Sequence, residues 1–364
     1  MPSLLSDKYR MAVGASPELE ASCKTPLSKY EKIYQYNALY KAFNNAMSGH
    51  RDEEKYAKYE ANKIEIISNI SQLLKDKTYQ PEVLKEFYVY EPKKRVVHAP
   101  SIPDKIVQNA LVDEVLYEDI TKHFIRDTYS TIIGRGTHDG LSRLKRFAAE
   151  SWRRYGTNTW VLKCDIRKFF ANINKDDVLI KFDSIEDDKD IVRLVELYLG
   201  VHDKGLPLGL RTSQLLANLE LNWMDHKIKE YYRCKWYGRY MDDFYIIHND
   251  KQLLKDLRSE IGYELSLINL EFNEKTQIFP MAHGIDFLGF RTYISESGKV
   301  IQKLRRSSRK RECRRIKLFK KMYSQGLISE EEIRKSYSAW KAHASYGNCY
   351  GLIKDFDKRI DNIF

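Results

Sequence analysis

The sequence has few cysteines, no long apolar run and no basic leader. Its five cysteines are scattered and include no C-x-x-C pair, so reduced thiols are expected rather than a cysteine zinc site or a disulfide framework. No apolar run is long enough to span a bilayer. Residues 1–22 lack the basic stretch and apolar core of a signal peptide. We therefore expect a cytoplasmic protein that has no contact with a membrane.

Acidic residues are almost missing from one segment. Residues 303–321 contain eleven Lys/Arg and one Glu, whereas the rest of the chain carries 51 basic and 50 acidic groups. Nearly all of the net charge of +11 therefore lies in this segment. Such a density favours a polyanion through counterion release, and a solvated surface helix is the alternative. The candidate nucleic-acid-binding residues are Arg305, Arg306, Arg309, Arg311, Arg314 and Arg315.

The length of 364 residues and the apolar fraction of 43% predict a sizeable core divided into two or three subdomains. Hydrophobic periodicity distinguishes helices from strands along the chain. Predicted helices cover residues 28–47, 56–74, 137–152, 212–232, 251–267, 329–343 and 348–360, and another begins at Ser101. Predicted strands cover residues 85–90, 95–98, 160–166, 235–240 and 244–248.

Two adjacent carboxylates lie between the last two of these strands. Asp242 and Asp243 would occupy a tight turn, where their repulsion is costly unless a cation neutralises it. Asp165 ends another apolar strand, and a carboxylate there, beside a hairpin turn, suits a shared metal ion. A solvated turn is the alternative for the pair, and a helix cap is the alternative for Asp165.

Two further stretches suit contacts with phosphate or a base. Lys93, Lys94 and Arg95 form a cationic hairpin turn that suits a triphosphate or a nucleic-acid backbone, although a solvated turn is equally compatible with Lys93. Residues 205–214 form a Gly/Pro-rich loop that leads into a helix. Its small residues would allow a ligand to approach closely, and the amides of the helix start and Ser213 or Gln214 would contact a base or a template strand.

The three acids and the loop fit phosphoryl transfer with two metal ions. Such a site holds two divalent ions about 3.5–4 Å apart, aligns a 3′-hydroxyl with an α-phosphate and neutralises pyrophosphate. Mg²⁺ prefers hard oxygen ligands such as carboxylates. Asp165 and Asp242 are the first candidate ligands, Asp243 is the third, and the backbone carbonyl near Ile166 is a further candidate.

Five motifs, taken in order, resemble motifs A to E of reverse transcriptases over residues 85–295. They are Asp165-x-x-x-x-Phe170, Leu206-Pro207-Leu208-Gly209 with Ser213-Gln214, Tyr240-Met241-Asp242-Asp243, Asn273-x-Lys275 and Phe287-Leu288-Gly289. The resemblance implies an α+β right-hand polymerase with helix-rich fingers, a palm of antiparallel sheet and helices, and a helical thumb. The implied division is an N-terminal arm over 1–27, fingers over 28–158, a palm over 159–295 and a basic thumb over 296–364.

The resemblance also implies roles for individual residues. Phe170 would be the steric gate that excludes a ribose 2′-hydroxyl, or else a core aromatic, a role that suits Phe169 better. Lys94 and Arg95 would hold the triphosphate. Lys275 would protonate the leaving pyrophosphate, or else be a surface lysine. Residues placed by motif alone are Leu208, Gly209 and Gln214 at the nucleotide, and Phe287, Leu288 and Gly289 in the primer grip.

Leu208 replaces the Gln that most reverse transcriptases have, so a hydrogen bond at the templating position would be lost. The patterns Leu208-Gly209-x-x-x-Ser213-Gln214 and Glu91-Pro92-Lys93-Lys94-Arg95 resemble reverse transcriptases of diversity-generating retroelements, bacterial and phage enzymes with a group II intron-like core. Position 210 is Leu where that family usually has Asn. The resemblance implies error-prone copying of a template RNA into cDNA, dNTP substrates, an RNA/DNA duplex, Mg²⁺ or Mn²⁺, and a small basic accessory protein.

Three alternatives remain open. Antiphage-defence reverse transcriptases share much of this core, and some polymerise without a conventional template. An RNA polymerase of the same palm type is disfavoured by Phe170. A non-catalytic RNA-binding scaffold is disfavoured because all three acids are present. No stretch outside the polymerase core is long enough to predict an RNase H, endonuclease or protease domain.

Overall fold

The computed structural model describes residues 26–49, 54–90 and 94–364. Most of the predicted arm over 1–27 lies outside the described residues, as do Glu91, Pro92 and Lys93 of the cationic turn. Helices and antiparallel sheets occur together along the described chain, which confirms the α+β class. None of the described helices is long and apolar enough to cross a membrane.

Two predicted N-terminal helices are each broken in two. The four resulting helices are α1 (Lys29–Ile33), α2 (Tyr36–Met47), α3 (Glu54–Ala61) and α4 (Lys63–Lys75). The single helix predicted over 28–47 is wrong because Gln35 adopts an extended conformation, with φ −64° and ψ 141°. The helix predicted over 56–74 is interrupted at Asn62.

A hairpin and a second helical group follow. The hairpin is β1 (Lys85–Val89) paired with β2 (Arg95–Ala99), and the helices are α5 (Ile102–Leu111), a π-helix (Val112–Leu116), α6 (Tyr117–Thr121) and α7 (Thr137–Tyr155). Ser101 accepts a hydrogen bond from the Asp104 N–H at 3.3 Å, so the predicted helix start is confirmed.

The central sheet is antiparallel and has four strands. They are β3 (Trp160–Asp165), β4 (Trp236–Tyr240), β5 (Asp243–His248) and β6 (Gln277–Pro280), in the order β4-β5-β3-β6. Leu162 and Ile246 belong to the apolar core on one face, whereas Val161 and Ile247 belong to a second core on the other face. Burial on both faces explains why these strands are continuously apolar in sequence.

Helices surround this sheet. They are α8 (Phe169–Asn172), α9 (Lys175–Asp183), α10 (Lys189–Gly200), α11 (Arg211–Glu220), α12 (Asn222–His226), a second π-helix (Lys227–Tyr231) and α13 (Lys251–Leu267). The continuous helix predicted over 212–232 is therefore wrong. The four positions predicted to pack, Ala217, Leu221, Met224 and Ile228, are all buried, so the hydrophobic period gives no sign of the break at Leu221.

A three-stranded antiparallel sheet leads into the basic segment. After a 3₁₀ turn (Met281–His283) come β7 (Ile285–Phe287), β8 (Phe290–Ile294) and β9 (Val300–Leu304), followed by α14 (Arg306–Ser324), α15 (Glu330–Ala344) and α16 (Tyr350–Asp361). Buried Phe319, Ile333 and Phe356 hold the last three helices together. β8 and β9 are paired, although they lie on opposite sides of the boundary predicted between palm and thumb at residue 295. The subdomain boundaries remain predictions.

Candidate active site

The three candidate carboxylates lie at one end of the central sheet. Tyr240 and Asp243 are paired across the β4–β5 hairpin, with Met241 and Asp242 in the turn. Met241 has a positive φ of 56°, which the tight reversal requires. Asp243 is directly opposite Asp165 of β3. Residues about 80 positions apart are thus brought together by strand pairing.

Electrostatics separates the three acids into two kinds. Burial, followed by the charge of Asp165, raises the pKa of Asp242 to about 6, although Lys163 and Arg95 act in the opposite direction. Asp243 instead forms an ion pair with Lys163. Asp165 and Asp242 therefore repel one another, and their oxygens are hard ligands. This donor set fits a divalent cation such as Mg²⁺.

Lys163 is a site residue that motif reasoning missed. Burial lowers its pKa to about 8. It precedes Asp165 by two residues on β3, so both side chains point to the same face of the sheet. The available signal was a lysine inside an otherwise apolar strand.

The end of β3 is fixed by the segment before β6. The Asn273 N–H donates to the Asp165 carbonyl at 2.7 Å, and Ile166 forms a bridge with Phe272. The Asn273 side chain in turn accepts from the Lys275 N–H at 3.1 Å. Lys275 is exposed. The Asn273-x-Lys275 motif therefore adjoins the strand end that carries Asp165.

Arg239 stabilises the β4–β5 turn that contains Asp242. Motif reasoning did not identify this residue either. It is fully buried and bonds Asp225 through two nitrogens, at 2.7 and 2.5 Å. It also donates to the Asn218 side chain at 3.0 Å and to the Met241 carbonyl at 3.1 Å. The turn that carries Asp242 is thus tied to α11 and α12.

Neighbouring aromatics near this site differ in exposure. Phe169 is buried and packs edge-on against the ring of Phe170, with 5.5 Å between the centroids, while Phe170 is half-buried. Across the site, exposed Arg95 lies close enough to lower the pKa of Asp242. The Lys94 ammonium lies 4.5 Å from the centroid of the Tyr88 ring. Arg95, rather than Lys94, is therefore the cation that the structure places beside the acids.

The glycine-rich loop packs against backbone on two sides. A Cβ at Gly205 would lie 2.4 Å from the Phe170 carbonyl oxygen, and one at Gly209, whose φ is +122°, would lie 2.2 Å from the His98 oxygen. The Leu208 carbonyl accepts from the His98 N–H at 2.7 Å. The sequence predicts that the small residues of this loop allow a ligand to approach. In the structure, Gly205 and Gly209 instead allow the backbone at Phe170 and His98 to pack closely against the loop. Exposed Gln214 lies in the first turn of α11.

The predicted primer-grip residues form the β7–β8 turn. Phe287 is fully buried, with its ring centroid 5.1 Å from that of Tyr245. Leu288 and Gly289 make the reversal with positive φ values of 50° and 87°. The Gly289 carbonyl accepts from the Arg305 N–H at 3.0 Å. Phe287 therefore supports the turn from the core.

The six arginines of the basic segment are not equivalent. Four are exposed on α14: Arg306, Arg309, Arg311 and Arg314. Arg315 is bound to buried Glu312 at 2.7 Å. Arg305 precedes the helix and lies close enough to Lys163 to lower its pKa. Arg305 thus adjoins the carboxylate site, whereas the exposed four form a separate surface.

Comparisons with known proteins show what this chain is similar to. The chain is 26% identical over 239 residues to the group II intron-encoded protein LtrA of Lactococcus lactis subsp. cremoris, covering 59% of this chain and 38% of LtrA. It is 26% identical over 204 residues to the retron Ec73 reverse transcriptase of Escherichia coli, covering 50% of this chain and 60% of that protein.

Among solved structures, a telomerase from Candida albicans in complex with a fragment of telomeric RNA is similar over 79% of this chain and 60% of that one, at 13% identity and a TM-score of 0.49. The family model described as reverse transcriptase (RNA-dependent DNA polymerase) matches residues 83–292. That match covers more than half of the sequence, and the chain belongs to the reverse transcriptase family.

Proposed function

We propose that this chain is an RNA-directed DNA polymerase that copies an RNA template into cDNA from dNTPs. The observation that carries the proposal is the convergence of three carboxylates at one end of the central sheet: Asp243 is directly opposite Asp165, and Asp242 in the adjoining turn lies close enough to Asp165 for that charge, after burial, to raise its pKa to about 6. Lys163 and Arg95 lie beside this pair. A half-buried acidic pair bordered by cations suits a polyphosphate substrate with divalent metal.

Asp165 and Asp242 would hold Mg²⁺ or Mn²⁺, with Asp243 and the Ile166 carbonyl as further ligands. When bound, two such ions polarise the primer 3′-hydroxyl and offset charge on the reacting phosphates. Lys163 forms an ion pair with Asp243 and so places a positive charge beside the proposed ligands.

The other residues act on the nucleotide. Arg95 and Lys94 bind the triphosphate, and Phe170 occupies the space of a ribose 2′-hydroxyl. Leu208, Gly209 and Gln214 border the base. Lys275 gives a proton to the leaving pyrophosphate, and the turn at Leu288 and Gly289 contacts the primer.

The finer proposal is an error-prone enzyme of the diversity-generating retroelement type. Leu208 supports it, because an alkyl side chain offers no hydrogen bond with which to test pairing geometry. Such an enzyme would work with its own template RNA and a small basic accessory protein. An antiphage-defence reverse transcriptase is the alternative, and the sequences of the polymerised products would distinguish the two types of enzyme.

The decisive experiment is primer extension by the purified chain with Mg²⁺, a heteropolymeric RNA template and dNTPs. Asp242→Asn should lower the rate by about a thousandfold or more, because it removes a metal ligand while leaving RNA binding intact. Asp187→Asn is the matched control, since Asp187 is exposed in the loop before α10. Equal extension by both variants would contradict the metal assignment.

Sequencing the products tests the finer proposal. Templated cDNA with errors mainly opposite adenine supports the diversity-generating type. Long product unrelated to the template supports a defence-type polymerase. RNA binding without incorporation, even with the native RNA and neighbouring proteins added, would favour the scaffold.

A further inference from the structure

A second group of metal-ligand side chains lies away from the carboxylates. Glu86 of β1 and His98 of β2 are direct partners in the hairpin register, so their side chains share one face. His202 reaches the same point from the loop after α10. The Glu86 Oε1 atom is 3.2 Å from His98 Nε2, which is 3.1 Å from His202 Nε2.

Three ligand atoms converge here. One atom from each side chain lies within 4.8 Å of the other two. The two imidazole rings meet nearly at right angles, at 82°, with 4.5 Å between their centroids. Both Nε2 atoms therefore converge on one point instead of stacking ring against ring.

Protons alone satisfy this arrangement poorly. His98 Nε2 faces both a carboxylate oxygen and a second imidazole nitrogen, yet a neutral ring has at most one proton there. If His98 Nε2–H donates to Glu86, the lone pair on His202 Nε2 has no donor to accept from. If His202 donates instead, the His98 lone pair faces the carboxylate. A cation accepts all three lone pairs at once.

The distances suit a tetrahedral transition metal. Zn²⁺ binds imidazole nitrogen at about 2.0–2.1 Å, which at tetrahedral angles separates two ligand nitrogens by about 3.3 Å. Two of the three separations are close to that value, 3.1 Å between the two Nε2 atoms and 3.2 Å between His98 Nε2 and Glu86 Oε1, and the ligand atoms of Glu86 and His202 lie within 4.8 Å of one another. Two imidazoles and one carboxylate favour zinc over magnesium. The palm carboxylates, which offer only oxygen, have the opposite preference.

We propose that Glu86, His98 and His202 bind one Zn²⁺ ion. The ion ties the β1–β2 hairpin to the loop before α11, beside the hydrogen bond from the His98 N–H to the Leu208 carbonyl at 2.7 Å. It thereby fixes the backbone from which Leu208 projects. Neither Nδ1 atom has a hydrogen-bond partner among the described residues, so affinity is about 10- to 100-fold weaker than in a site with such partners.

The test is a zinc titration of the chelator-treated full-length protein against a chromophoric chelator, with Mg²⁺ in excess. Wild type should bind one equivalent, and Co²⁺ should give the visible absorption of a tetrahedral site. His202→Gln and Glu86→Gln should each weaken binding by at least about a hundredfold. Glu86 is largely exposed, so its variant tests the site with little risk to folding.

Two controls sharpen the result. His283→Gln changes an exposed histidine elsewhere and should bind zinc as wild type does. A variant with Asp165→Asn and Asp242→Asn should also keep the equivalent, because the palm acids are a different site. The proposal would be overturned if the wild type bound no zinc, or if Glu86→Gln and His202→Gln bound zinc as tightly as the wild type. It would also be overturned if the variant with Asp165→Asn and Asp242→Asn lost its bound zinc.

Discussion

Phe170 and Phe169 are adjacent aromatics with different surroundings. Phe169 is 2% exposed, whereas Phe170 is half-buried and packs against the edge of the same core. Its backbone carbonyl accepts from the Leu206 N–H at 2.7 Å, which fixes it against the glycine-rich loop. The steric-gate role proposed for Phe170 can therefore be tested by removing its ring.

Replacing Phe170 with Ala should admit ribonucleotides. Removing the ring opens space for a 2′-hydroxyl, so preference for dNTP over rNTP should fall by about tenfold or more. Single-nucleotide extension with each substrate measures kcat/KM for the pair. Phe170→Tyr keeps the bulk and should still exclude rNTPs. If Phe170→Ala still excluded rNTPs as strongly as the wild type, another residue would have to be the steric gate.

Leu208 carries the fidelity hypothesis. Leu208→Gln introduces a hydrogen-bonding group at the position where most family members have one, so misincorporation should fall by roughly two- to tenfold. The error frequency in sequenced cDNA is the measurement. Leu208→Met changes shape without adding that group, and its error spectrum should resemble wild type. An unchanged spectrum in the glutamine variant would count against the hypothesis.

At the scale of elements, the β4–β5 hairpin depends on a buried ion pair. Arg239 and Asp225 are both fully buried, and Thr128 also donates to Asp225 at 2.8 Å. Together these bonds connect the hairpin to α12 and to the segment before α7. Breaking such a pair leaves an uncompensated buried charge.

Arg239→Met should therefore destabilise the protein by about 3–5 kcal/mol. Chemical denaturation measures the free energy of unfolding. Arg334→Met is the control, since Arg334 is exposed and solvent screens its ion pairs with Glu330 and Asp361, so little change in stability is expected. Adding Asp225→Leu to Arg239→Met should restore part of the loss. Similar unfolding energies for the Arg239 and Arg334 variants would contradict a structural role for the pair.

Helix interruptions show where periodicity stops being informative. The residues from Ala217 to Ile228 keep one apolar face through α11, α12 and the π-helix, so their sequence fits one continuous helix. The break instead serves Asp225, which must reach Arg239 on a strand far along the sequence. Local patterns do not encode that requirement.

At the scale of the whole molecule, positive charge is concentrated on α14. Buried Glu312, Ile316 and Phe319 mark the face that packs on the neighbouring helices, leaving the arginines outward. The opposite surface suits the backbone of a template–primer duplex.

Changing Arg309, Arg311 and Arg314 together to Gln should flatten the salt dependence of RNA binding. Each lost phosphate contact lowers the slope of log K against log salt by about 0.7–0.9, so a change of about two to three is expected. Fluorescence anisotropy across a salt series measures the slope. Lys251, Lys255 and Arg258 are exposed on α13 and provide a control triple variant. Equal slopes for the two triple variants would indicate that α14 is a solvated surface helix that does not bind RNA.

The sequence by itself determined the family, the α+β class and the order of the motifs, because strand alternation, turn residues and the spacing of the motif residues are local patterns. Only the tertiary structure decided that Lys163 pairs with Asp243, that Arg239 holds the turn that carries Asp242, and that Glu86, His98 and His202 meet. These contacts join residues that are distant in sequence or lie on different strands. Their formation depends on strand register and loop packing, which hydrophobic periodicity does not specify.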